Sequence, residues 1–248
     1  LTVDLTHIKA DSTLSTSSII EMNLGGRLVN VMIGEAGGLK DFDSNKFNEE
    51  DLKLLEGADY VCVFNWCQNR FGTELFLHVA EVVSRNGLGY LFLDLGDPSS
   101  RVDELKVLCE GLCKVGKIGA LSLNENEAYW VGKTLGCASE DRSELAAYIS
   151  KRFECEILLH TPEFSSHNIK GEATTMPTFD AKPQKATGAG DCWNAGYILG
   201  SMLNLSYAER IFLANAVAAA HITKSVSERI TLDDVVKIVR EGKLRVKS

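Results

Sequence analysis

Between Ala58 and His160 the chain alternates short apolar runs with longer amphipathic ones. The runs "ADYVCVF" (58–64), "LGYLFLDLGDP" (88–98), "KIGALSL" (117–123) and "CEILLH" (155–160) predict buried strands, the second stopping at Pro98. The intervening "TELFLHVAEVVSRNG", "RVDELKVLCEGLCKVG", "NENEAYWVGKTLG" and "RSELAAYISKRF" read as helices, the first closing at Gly87. Ahead of this alternation, residues 13–34 read as strand, Gly-Gly turn and strand. Behind it, irregular or hairpin sequence leads into three helices at 190–203, 206–223 and 231–241. Repeated strand–helix units imply a mostly parallel sheet covered by helices. Ligands of such sheets sit at the carboxyl ends of the strands.

Composition narrows the picture. A chain of 248 residues with 45% hydrophobic content suits one large α/β domain with a substantial core. Only 4 prolines and no low-complexity tract argue against disorder. The net charge of -8, without a polybasic cluster, argues against nucleic acid or an anionic membrane as partner. The seven cysteines are odd in number and scattered, and no signal peptide or membrane-length apolar run is visible. The expectation is a cytoplasmic protein with free thiols. Cys109 and Cys113 lie one helical turn apart, but no second pair or nearby histidine completes a metal site.

Candidate chemistry concentrates in "KATGAGDCWNAGYILG" (185–200), where a glycine knot runs straight into a helix. Gly188 and Gly190 admit backbone geometry and close approach that a Cβ would forbid. The helix that follows turns unpaired N–H groups and its positive dipole end toward the knot, which suits an oxyanion. Asp191 falls in the first turn, either as a plain capping residue or as a base beside an anion hole. A carboxylate that takes a proton next to a hole that stabilises developing charge suits phosphoryl transfer to an alcohol. Other templates fail. A dinucleotide fingerprint from Gly188 needs glycine where Trp193 stands, and a P-loop ending at "GKT" (132–134) needs glycine at Glu127.

Three further strand ends carry polar residues. In "NENEA", Asn124 and Glu127 are three apart and share one face of a first turn. They either cap the helix or hold magnesium, directly or through water. "LDLGDP" ends a strand with two carboxylates, Asp94 and Asp97; Asp94 is a candidate to order water or magnesium, unless the pair merely forms the turn before Pro98. Asn65 in "FNWCQN" is a candidate for substrate contact.

On these motifs the sequence resembles the ribokinase-like (PfkB) carbohydrate kinases: "TGAGDCWNAG" is similar to their C-terminal signature, and Asn124-x-x-Glu127 to an Asn-x-x-Glu after the same strand. The resemblance implies a three-layer ribokinase-like fold, with 1–12 and 35–248 as the α/β kinase core and 13–34 as a β-hairpin of the lid. It implies an ATP- and magnesium-dependent kinase acting on a hydroxymethyl group of a sugar, with nucleosides or sugar phosphates as alternative substrates. By resemblance Asp191 is the catalytic base and contacts substrate. Gly188, Ala189 and Gly190 form the anion hole. Asn124, Thr187 and Lys185 border the nucleotide, with Asn215 and Ala219 of "IFLANAVAAAHIT" flanking adenine unless those small residues serve only helix packing. Glu127 and Asp94 then serve magnesium. A homodimer through the β lid is a further implication.

The sequence departs from the family pattern in three places. It opens inside what resembles the end of the family's N-terminal half, so a missing N-terminus is expected. "TPEFSSHN" stands where the family often has a Thr-x-Gly-x-x-Gly loop. Lys185 replaces an aspartate that, in many members, helps hold a monovalent cation; it is either a solvent-facing loop lysine or a substitute positive charge. A non-catalytic kinase-like binding protein is the rival of a different class, and a Rossmann-type redox enzyme is disfavoured by the failed fingerprint.

Overall fold

Each of the four apolar runs between Ala58 and His160 becomes a strand of one six-stranded sheet in the computed structural model, which describes residues 4–9, 13–25, 27–87, 89–115 and 118–246. The hairpin comes first, β1 (Thr16–Leu24) and β2 (Arg27–Glu35). The core then runs α1 (Glu49–Gly57), β3 (Tyr60–Val63), α2 (Gly72–Ser84), β4 (Tyr90–Asp94), α3 (Val102–Val115), β5 (Ala120–Asn124), α4 (Glu125–Thr134), α5 (Arg142–Arg152) and β6 (Glu156–His160). It ends β7 (Phe164–Ile169), β8 (Glu172–Pro177), α6 (Ala189–Met202), α7 (Tyr207–Ile222) and α8 (Leu232–Glu241). Spatial order follows chain order, with β3 to β6 parallel and β6, β7 and β8 antiparallel.

Both faces of the sheet are covered, which is why the strands read as continuous apolar runs. Leu91 and Leu93 of β4 pack with Leu105, Leu108, Val131 and Ile149 under α2 to α5. Phe92, one residue out of phase, turns to the other face and meets Trp193, Tyr197 and Ile211 of α6 and α7. Those two helices approach closely because their facing residues are small: a Cβ on Gly196 would lie 2.8 Å from the Ala214 Cα. Phe179, Ala216, Ala219 and Val235 form a third cluster that seats α8.

Two elements escaped the sequence pattern. Helix α1 is short and largely polar, and its start is set by a capping box between Asn48 and Asp51. Strand β7 is polar yet buried: Ser165, Ser166, His167 and Asn168 all lie inside. Side-chain bonds compensate part of this, including Asn168 Nδ2 to the Ile157 carbonyl at 3.1 Å and Ser165 Oγ to Asn215 Oδ1 at 2.7 Å, while His167 Nε2 lies 3.6 Å from Glu156 Oε2. The β7–β8 turn is Lys170-Gly171, both at positive φ (51° and 87°), as a two-residue hairpin loop requires.

The hairpin spans 16–35 and pairs in register, with Glu21 opposite Asn30. The expected core segment 1–12 lies partly outside the described residues, as does Gly26 of the expected turn. No described helix is long and apolar enough to cross a membrane.

Candidate active site

The carboxyl ends of β3 to β6 bring Asn65, Asp94, Asn124 and His160 to one edge of the sheet, as the parallel topology dictates. The N-terminus of α6 is tied to the same edge. Asn194, three residues after Asp191, donates from Nδ2 to Asp94 Oδ2 at 2.7 Å and accepts from Ser122 Oγ at 2.6 Å. Asp191 itself is exposed and lines a cleft of about 300 Å³ with Cys62, Phe64, Ala195 and Ile198. That volume lies at the small end of small-molecule sites.

The glycine knot is built unevenly. Gly188 caps α6 at φ 80°, and a Cβ there would stand 3.0 Å from His221 Nε2, which also pairs with the Thr187 carbonyl at 2.8 Å. Ala189 N–H closes a turn onto the Ala186 carbonyl at 3.2 Å. Gly190 and Asp191 have first-turn N–H groups, which find no acceptor within a helix. The freedom expected of Gly190 is not conformational: it sits inside the helix, and an added Cβ would only approach His160 Cε1 at 3.4 Å. Of the three amides expected in an anion hole, that of Ala189 is thus already engaged by the Ala186 carbonyl.

Asn124 and Glu127 do cap α4. The Glu127 carboxylate accepts from Asn124 N–H at 2.8 Å and from Asn124 Nδ2 at 2.8 Å, while Asn124 Oδ1 accepts from the amides of Asn126 and Glu127. Glu127 is only 3% exposed, and burial, then the charge of Asp94, pushes its carboxyl well above the usual range. Asp94 is raised by burial first and by neighbouring Asp191 as well, against donations from Asn194 and Gly96. Buried carboxyls that repel one another are what a divalent cation would relieve. Among the described residues no three His, Cys, Asp or Glu side chains form a metal-holding group. One or two carboxylates plus water is the usual protein contribution to magnesium, and Asp94 with Glu127 fits it.

Lys185 is not solvent-facing. It is 6% exposed, and its Nζ donates to the carbonyls of Ser225 at 3.1 Å and Glu228 at 3.3 Å in the loop after α7. Thr187 donates from both N–H and Oγ1 to Glu21 of the hairpin, each at 2.7 Å. Asn65 is exposed at φ 63° beside Gly96, where the β3 and β4 ends meet.

Two of the expected nucleotide-flanking residues are turned inward. Asn215 is buried, accepting from Ser165 Oγ and Trp193 Nε1 and donating to the Pro177 carbonyl, and Ala219 is 4% exposed in the α8 cluster. Both lie on the side of α7 that turns inward toward its neighbours. In place of a glycine loop after β6 stands a tight turn, in which Thr161 Oγ1 accepts from the amides of Glu163 and Phe164.

Sequence reading missed His160, Asn194, His221 and Glu21. His160 ends a strand and Asn194 shares the Asp191 helix face, signals that were available. His160 lies against Trp193, ring centroids 5.1 Å apart, with Nε2 shielded and unpartnered, and burial pushes it down to about 4 from 6.5. Between those two values the unfolded chain takes a proton that the folded chain refuses, so stability falls as pH drops through the window. The loss expected is about 3 kcal/mol at full extent. Urea midpoints at pH 7 and pH 4.5 should diverge less for His160→Gln than for the unmodified protein; parallel losses would locate the acid sensitivity elsewhere.

Solved structures of known kinases share this architecture. Ribokinase from Arabidopsis thaliana, complexed with ribose and ATP, superposes with a TM-score of 0.69 at 20% identity, covering 93% of this chain and 70% of that one. Adenosine kinase from Sinorhizobium meliloti gives 0.72 at 17% identity, covering 91% and 65%. Adenosine kinase from Schistosoma mansoni in complex with 2-fluoroadenosine gives 0.70 at 16%, covering 88% and 65%. The fold is that of ribokinases and adenosine kinases, and the chain spans just under two thirds of the length of these two adenosine kinases. A family model, pfkB family carbohydrate kinase, matches residues 1–231, and the chain belongs to that family. Comparison with curated proteins gives no match.

Proposed function

We propose that the protein transfers the γ-phosphoryl group of ATP to a hydroxymethyl group of a sugar or nucleoside. The observation that carries this reading is Asp191: an exposed carboxylate in a cleft, in the first turn of α6 beside its free amides. Asp191 takes the proton of the acceptor hydroxyl as its oxygen bonds to the γ-phosphorus. The bond from that phosphorus to the β–γ bridging oxygen breaks, and ADP leaves. The amides of Gly190 and Asp191 stabilise charge on the transferring group. Asn194 holds Asp94 in place, and Asp94 with Glu127 would hold magnesium, which neutralises phosphate charge when bound. The family membership and the ribokinase and adenosine kinase folds support the reaction class. ADP release measured across a panel of sugars and nucleosides tests it; release with none of them, from a folded full-length protein, would favour a binding role instead.

Glu127→Gln should raise the magnesium concentration for half-maximal rate by roughly tenfold, as for partners that orient a metal's surroundings. The acceptor KM should move much less. A magnesium titration decides, and an unchanged half-saturation point would leave Glu127 as a helix cap alone.

A further inference from the structure

The hairpin meets the loop before α6 chiefly through one carboxylate. Every described residue of β1 is exposed except Glu21, which is half-buried against the loop before α6. Its Oε1 receives three donors: Ala186 N–H at 2.8 Å, Thr187 N–H at 2.7 Å and Thr187 Oγ1 at 2.7 Å. From the opposite strand Asn30 Nδ2 reaches Thr187 Oγ1 at 3.4 Å. Burial of Glu21 pushes its carboxyl up, but the Thr187 hydroxyl, the two amides and the charge of Lys185 outweigh it and hold the group below the usual carboxylate range. Consecutive amides converging on one oxygen form an anion nest. A two-stranded hairpin is barely stable alone, so contacts of this kind set where it rests.

We propose that Glu21 is a latch, an internal carboxylate that occupies the Ala186–Thr187 nest and must leave it when a phosphate oxyanion takes those donors. One oxygen already uses all three at full hydrogen-bond distance, so carboxylate and phosphate exclude each other. An oxyanion that takes the Ala186 and Thr187 donors therefore releases the hairpin, and the closed hairpin weakens oxyanion binding at that nest. The apparent affinity is reduced by the fraction of molecules with the nest free.

Calorimetric titration of the full chain, without metal, tests this with inorganic phosphate and with ADP as separate probes. Glu21→Ala should bind about tenfold tighter, the gain for a latch engaged roughly nine-tenths of the time. Glu21→Gln, which keeps the shape and loses the charge, should fall between. Glu35→Ala removes an exposed carboxylate from the same hairpin and should leave affinity unchanged. In hydrogen exchange, saturating probe should speed exchange of residues 16–24 and 28–35 in the unmodified protein while Ala186 and Thr187 stay protected. The same segments of Glu21→Ala should exchange fast with or without probe. An effect of ADP alone would identify a nucleotide phosphate as the displacing group, and an effect of both would show that free phosphate suffices. Equal affinities for Glu21→Ala and the unmodified protein with both probes, an equal gain from Glu35→Ala, or hairpin exchange indifferent to both would overturn the latch. Neither measurement needs turnover, so the latch and the kinase reading fail separately.

Discussion

Asp191→Asn should lower turnover by about 10²–10⁴-fold, the usual worth of a positioned base, while ATP binding stays nearly unchanged. Asparagine keeps the shape and removes the proton acceptor. The side chain is exposed at the cleft, so its loss removes no packing. The thermal midpoint should therefore hold, and any fall in rate reports chemistry rather than unfolding. Removing the charge also relieves Asp94, whose carboxyl Asp191 helps push up. ADP release, nucleotide titration and a melting curve on the same preparation check all three parts. Retention of more than about a tenth of the activity, far more than loss of a base allows, would exclude Asp191 as the base.

Activity should be independent of potassium, because Lys185 supplies a fixed positive charge beside the anion-binding loop. A lysine has three donors and no acceptor, so it cannot ligate a cation. Its ammonium instead lies between the carbonyls of Ser225 and Glu228, oxygens that would otherwise need another cationic or donor partner. Rates in potassium and in a bulky organic cation at equal ionic strength should match. Lys185→Ala should lower turnover on the order of 10²-fold, comparable to loss of one oxyanion donor. It should also lower stability, since the carbonyls of Ser225 and Glu228 lose their shared donor. Lys185→Asp restores a cation ligand and should make the rate respond to potassium, a readout that lost packing alone would not move. Strong potassium activation of the unmodified protein would end this reading.

Much of the site was legible because its residues are local. The knot at 188–190 with Asp191, and Asn124 with Glu127, lie within four residues of one another, and short-range geometry alone puts them at helix starts. What could not be read was contact across the chain. Glu21 lies 165 residues before Ala186, and its place in an alternating strand looks like any solvated carboxylate. Lys185 permitted two readings until the loop at 225–228 was seen folded over it. Asn215 permitted two as well, and its partners Trp193 and Ser165, far off in the chain, came into view only with the fold. The polar strand 164–169 was hidden because its burial depends on partners in β6 and α7.

The sequence by itself determined the strand–helix alternation, the parallel sheet and the glycine knot with its carboxylate. These follow from apolar periodicity and from backbone rules that act over a few residues. Only the tertiary structure decided which polar groups face one another: Asp94 held by Asn194, Glu127 raised by Asp94, Lys185 clasped by two carbonyls and Glu21 resting in the nest. Periodicity records how buried a position is, whereas the charge state and partner of a side chain depend on distances set by elements far apart in the chain.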